Sequence, residues 1–208
     1  PTTIMGSLRQ ILHSENITIT SAGIYVISGT AKNVTIYVEA SSEDKVQIVL
    51  DGVSISNTNL PCIYVKTADK VFVTTSGDSS LVVSGSFTAD GDTNLDGVIF
   101  SKSDITLNGT RALTIQSTDN GIVGKDDVKV TGGTYNITAT SKAIEANDSI
   151  RIADGVFVLN CGTDGLHAEN DEDDSLGYIY IGGGEFTIKA GDDGINASGK
   201  VLIGDNNS

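Results

Sequence analysis

The 208-residue chain predicts an all-β fold, a right-handed parallel β-helix with about 22 residues per rung. Three observations lead there. First, a short phrase recurs: Asn120-Gly121-Ile122, Lys142-Ala143-Ile144, Asp164-Gly165-Leu166 and Asp193-Gly194-Ile195 start at steps of 22, 22 and 29 residues. An earlier copy, Asp96-Gly97-Val98, starts 24 residues before the first of these. Second, apolar columns keep the same beat: Val128/Ile150/Ile179, Val130/Ile152/Ile181, Ile115/Ile137/Leu159/Ile188 and Leu113/Tyr135/Phe157/Phe186. Third, apolar and polar residues alternate within each run, the two-residue period of a strand. Turns such as Gly132-Gly133 and Gly182-Gly183-Gly184 separate the runs. Units this short bury a core only by stacking on one another. A propeller blade needs more residues, and the Leu-x-x-Leu-x-Leu phrase of leucine-rich repeats is missing.

Taken in order, Met5 to Glu15 carries apolar residues at helical spacing with Ile4 (Leu8, Ile11, Leu12) and predicts a short helix, so that residues 1–16 cap the open end of the solenoid. Alternating strands follow at Ile17–Ile19, Gly23–Ile27, Val34–Val38 and Val46–Ile55, and Cys62 to Val83 forms a further rung. Ser86 to Leu95 reads as a protruding loop. The longer last step of every column comes from seven extra residues between Ala168 and Gly177, an acidic insertion over 169–176. After Lys200 to Ile203 the final rung stops unfinished at Ser208. The whole, 1–208, is read as one elongated domain.

Composition narrows the function. With 27 acidic and 13 basic residues the net charge is −14, which argues against nucleic acid or an anionic membrane as partner. No apolar run approaches transmembrane length. Cys62 and Cys161 fall in different columns about 20 Å apart along the stack, beyond disulfide reach, and read as small packing residues. The chain opens on Pro1, which is not a native start, so a removed leader is expected. A monomer is the expected state.

The phrases Gly23-Ile24-Tyr25-Val26-Ile27-Ser28-Gly29-Thr30 and Val46-Gln47-Ile48-Val49-Leu50-Asp51-Gly52-Val53-Ser54-Ile55, followed by the repeated Asp-Gly-Ile/Leu rungs, carry a resemblance. From about Ile17 to Ile203 the chain resembles a family of secreted clostridial and related bacterial carbohydrate-binding domain-containing proteins. That resemblance implies a β-helix like that of pectate lyases and calcium in the turns. It also implies binding of plant cell-wall polysaccharide, cellulose or acidic pectic sugars such as polygalacturonate.

The residues point to Ca²⁺ independently. In-register stacking places column neighbours about 4.8 Å apart. One predicted column reads Asp96, Asn120, Lys142, Asp164, Asp193, preceded by Leu95, Asp119, Ser141, Thr163, Asp192. A second reads Asp126, Asp148, Asn170, flanked by Asn147 and Glu169. Stacked carboxylates repel, and a hard cation taking oxygen ligands removes the penalty. The candidate metal ligands are therefore Asp119, Asn120, Asp126, Asp148, Asp164, Glu169, Asp171, Asp192 and Asp193.

Between the two corners runs a short strand whose outward column is predicted as Ile99, Val123, Glu145, His167, Asn196. Gly124, Ala146, Ala168 and Ala197 should point inward. Glu145, His167 and Asn196, with Lys142 beside them, are the candidate sugar-binding residues, an exposed polar strip. The register makes Tyr135, Phe157 and Phe186 core stacks, and leaves Tyr25, Tyr37, Tyr64, Tyr178 and Tyr180 as aromatics open to exposure. With no tryptophan, a flat aromatic platform for cellulose is not readable.

Three functions follow from these features. One is a non-catalytic polysaccharide-binding β-helix. Another is a calcium-dependent pectate-type lyase, which needs a basic residue near the metal. Lys142 stands between acidic neighbours, which oppose that role, and Arg111, Lys125 and Arg151 are the other nearby cations. The third is a structural cell-surface or adhesin repeat.

Overall fold

In the computed structural model, which describes residues 2–4 and 8–204, the alternating runs become 23 strands, and no helix forms among the described residues. A nine-stranded parallel sheet takes one strand from each rung, among them Ile36–Glu39, Ile63–Thr67, Gly97–Ser101, Asn120–Gly124, Ile144–Ala146, Leu166–Ala168 and Ile195–Ala197. A fourteen-stranded sheet wraps the rest of the circuit. Its long strand Lys45–Asn57 pairs with Lys70–Thr75 through its first half and with Ser79–Val83 through its second. From there the sheet divides into two faces, and with the nine-stranded sheet they enclose the core of a parallel β-helix.

The four apolar columns stack as the repeat predicts. Val128, Ile150 and Ile179 pair rung to rung, as do Val130, Ile152 and Ile181. Leu113, Tyr135, Phe157 and Phe186 form a third ladder beside Ile115, Ile137, Leu159 and Ile188. The rings stack inside: Tyr135 and Phe157 are 5.2 Å apart and Phe157 and Phe186 4.7 Å, nearly parallel. Two of the turns leave no room for a side chain. A Cβ on Gly162 would sit 1.9 Å from the Thr140 carbonyl oxygen one rung before, and one on Gly191 equally close to that of Gly162. Cys62 and Cys161 are free and buried.

Four expectations are corrected. Leu8–Ile11 is a strand paired in parallel with Gly23–Lys32, not part of a capping helix. The solenoid's own hydrogen-bonding edge outcompetes a short helix there; Met5 lies outside the described residues. The rung at residue 97 is also shifted by one from the predicted register. Gly97 pairs with Asn120 and Phe100 with Val123, so Asp96 stacks beside Asp119, and Ile99 points into the core with Ile122. A one-residue slip exchanges the faces of a strand. Tyr25 is fully buried, its hydroxyl donating to the Ser21 carbonyl oxygen at 2.9 Å.

The segment Ser86 to Leu95 is the fourth correction, because it does not stand off the body. The outward column of the nine-stranded sheet runs Tyr37, Tyr64, Phe100, Val123, Glu145, His167, Asn196. Its middle members, Tyr64, Phe100 and Val123, are at most 2% exposed and form a small cluster with Leu95. Residues 86–95 thus lie over this face as a strap. Polar bonds tie it down: Tyr64 to Asp90 at 3.2 Å, Lys66 to Asp90 at 3.2 Å, and Lys102 to the Thr93 hydroxyl at 2.6 Å.

Candidate functional site

Beyond the strap, the same outward column continues as Glu145, His167 and Asn196. These three are more enclosed than the predicted exposed strip: His167 is 9% exposed, while Glu145 and Asn196 are half-buried. Each is held by a corner residue of its own rung or of the rung before. The Asn120 amide donates to Glu145 at 2.9 Å, and Lys142 Nζ lies 3.4 Å from the same carboxylate oxygen. Asp164 Oδ2 meets His167 Nδ1 at 2.7 Å and accepts from the Asn196 amide at 3.3 Å. His167 Nε2 faces Glu169 at 3.1 Å. A corner residue three positions earlier thus meets Glu145 and His167, and a corner residue of the preceding rung meets Glu145 and Asn196.

The corner column also has an internal task. Asn120 Oδ1 accepts the Lys142 backbone N–H at 2.9 Å, and Asp164 Oδ1 accepts that of Asp193 at 3.0 Å. Each side chain satisfies the backbone donor of its own column position one rung later. Asp164 is buried, which favours the neutral acid, but the Asp193 N–H, His167 and Asn196 outweigh burial and hold its carboxyl below the usual range. Asp192 and Asp193 are exposed at the turn, and Asp171 lies in the acidic insertion, also exposed.

The carboxylates without such donors behave oppositely. Burial, then a hydrogen bond with Asp148 and the neighbouring charges of Asp104, Asp148 and Asp127, push Asp126 up to about 6. Asp148 accepts one bond from Asn170 at 3.1 Å. At the first corner, burial raises Asp96 to about 6 against the pull of Lys125, with Glu145 and Asp119 adding to the rise. Its Oδ1 is buried without a hydrogen-bond partner among the described residues. Asp119 is raised in turn by burial and by Glu145, with Lys142 opposing.

The insertion separates two clefts. One of about 360 Å³ lies over Glu145, Asn147 and Glu169 to Glu172; the other, about 650 Å³, runs from Asn170 and Tyr178 to Lys200. The loop is self-tied: Asn170 Oδ1 accepts from the Glu172 and Asp173 N–H groups, and Asp173 accepts from Ser175. Sequence reasoning missed Phe100 and Tyr64 as members of the outward column. The alternation Ile99-Phe100-Ser101 contained that signal, but the Asp-Gly phrase one residue early masked it.

The profile of a family described as carbohydrate-binding domain-containing protein matches residues 13–207. A protein of Acetivibrio thermocellus with that description is 34% identical over 128 residues, 59% of this chain and 45% of the relative, so the match spans less than half the relative's length. A solved structure described as the polysaccharide lyase-like protein from C. thermocellum, gadolinium derivative, superposes with a TM-score of 0.83 at 25% identity over 98% of each chain. The chain therefore belongs to the carbohydrate-binding domain-containing protein family.

Proposed function

We propose that this chain is a non-catalytic, calcium-binding module. It holds plant cell-wall polysaccharide, cellulose or acidic sugars such as polygalacturonate, on the outer face of the nine-stranded sheet. The observation that carries this reading is the column Glu145, His167, Asn196, whose polar side chains are locked by second partners, with Glu145 lining a cleft. Polar groups fixed on rigid strands meet sugar hydroxyls with little ordering cost. The reading implies an extracellular protein acting as a monomer.

The donor set suits a hard cation. Asp126 and Asp148 are hydrogen-bonded carboxyls with Asn170 beside them, an all-oxygen grouping whose mutual repulsion Ca²⁺ removes. Asp96 and Asp119 offer a second such pair. When bound, the ion supplies positive charge through which a polyuronate approaches a chain of net charge −14.

The test combines pull-down on cellulose and polygalacturonate, with and without EDTA, and calorimetry of Ca²⁺ binding to chelator-stripped protein. Retention on both polymers is expected, with polygalacturonate retention falling in EDTA, and Asp148→Asn should lose Ca²⁺ heat. The pair Glu145→Ala and Asn196→Ala should weaken retention without lowering the melting temperature by more than a few degrees. Wild type retained on neither polymer would sink the reading. A pectate-type lyase is the second reading, favoured by likeness to the polysaccharide lyase-like structure. Lys142, the nearest candidate base, is engaged by Glu145. Ultraviolet absorbance of an unsaturated uronate product during incubation decides in its favour.

A further inference from the structure

On the outside of the fourteen-stranded sheet another column runs Thr106, Lys129, Arg151, Tyr180, Leu202 in unbroken parallel register. Lys129, Arg151 and Tyr180 line a cleft of about 200 Å³ together with Ile152 and Ala153. Two cations therefore sit on adjacent rungs, about 4.8 Å apart, in a chain where acids outnumber bases 27 to 13. Like charges directly opposite on paired strands cost stability. Asp127 pairs with Arg151 and also accepts from the Ser149 hydroxyl, which anchors the guanidinium from one side. Arg151 Nε is buried with no hydrogen-bond partner among the described residues, so one carboxylate does not saturate the fork. Lys129 is exposed and enters no ion pair among the described residues. Two positive charges against one negative leave the strip one anion short.

We propose that this strip is a saccharide subsite working without metal: Lys129 and Arg151 take the carboxylate of an acidic sugar and Tyr180 takes the face of its ring. Arginine binds a carboxylate through a planar fork, and an aromatic ring accepts the C–H face of a pyranose as it accepts other apolar surface. The apolar surface of Ala153 and the Tyr180 ring favours a sugar acid over a bare inorganic anion. This rests on the carbohydrate-binding reading above and differs from it in face and in metal dependence.

The experiment measures affinity for polygalacturonate in EDTA, with fully methyl-esterified polygalacturonate and cellulose as uncharged controls. Wild type should bind the acid polymer in EDTA, and Lys129→Gln combined with Arg151→Gln should weaken that by about tenfold or more. Cellulose retention and the small affinity for the ester should not change. Lys129→Gln alone leaves the Asp127–Arg151 pair intact, so its loss cannot come from disturbing that anchor. Tyr180→Leu should weaken binding while leaving its salt dependence unchanged. No wild-type binding in EDTA overturns the subsite, while calcium-dependent retention would leave the main reading standing. Equal binding by wild type and Lys129→Gln, or equal losses on acid and ester, also overturns it.

Discussion

Asp126 and Asp164 stand at the two corners that flank the short strand, and their surroundings drive them in opposite directions. Asp164 meets three donors and stays ionised; Asp126 meets carboxylates and is held up to about 6. The linkage signs follow. Asp126 binds its proton more tightly folded than unfolded, so its stabilisation is full below its ordinary value of 3.8 and is lost as pH rises through about 6. Asp164, depressed in the fold, stabilises above 3.8 and loses that contribution as pH falls through its lowered value. In chelator, the melting temperature should therefore climb as pH is lowered from 7 toward about 5, then fall in stronger acid. Added Ca²⁺ should flatten the climb, because it replaces the proton between the carboxylates. Asp126→Asn in chelator at pH 7 should raise the melting temperature by about 2–4 °C, a shift worth about 1 kcal/mol at this size. Calorimetric scans across pH check both, and a melting temperature independent of pH between 5 and 7 contradicts them.

At the scale of strands, stability lives in columns, and the ring ladder is the clearest case. Phe157 is 1% exposed and stacks on a ring above and a ring below. Phe157→Ala should cost about 3–5 kcal/mol, read from denaturant midpoints, more than truncation of any single outward residue. The columns were legible because a 22-residue beat repeats the same apolar choice at the same place, as at Ile137, Leu159 and Ile188. Register was legible only where the beat was intact. Between residues 83 and 97 the strap replaces a regular turn, so Asp96-Gly97 imitates the later phrase one residue out of step. The strip residues Glu145, His167 and Asn196 were found because they share that later, regular part. That Asn120 and Asp164 point at the next rung's N–H was not legible, since asparagine or aspartate at a turn serves a metal or a backbone donor equally well. The strand at Leu8–Ile11 was hidden for a different reason: its residues fit both periods, and only the neighbouring edge decides between them.

Over the whole molecule each rung touches only the rungs beside it, so stability is close to a sum of neighbour terms. Burial grades along the axis: Ile152 is fully enclosed and Ile181 nearly so, whereas Ile203 in the same inward ladder is 69% exposed. Amide exchange followed by mass spectrometry should be slowest in the strands from Gly97 to Cys161 and fastest in Glu185–Lys189, Ile195–Ala197 and Val201–Ile203. Uniform protection along the chain would mean that the rungs open together rather than singly.

The strap has one further consequence, for traffic along the nine-stranded face. Leu95 and its neighbours stand directly in line with Glu145, His167 and Asn196, at the Val123 step of the same column. A thread-like guest laid lengthwise on that column runs into a wall one rung, about 4.8 Å, before Glu145. The face is a cul-de-sac rather than a corridor. On the proposed reading, a long polymer would have to cross it at a slant or present a chain end, and that geometry, more than the chemistry of any one side chain, would set how much of a fibre each molecule occupies.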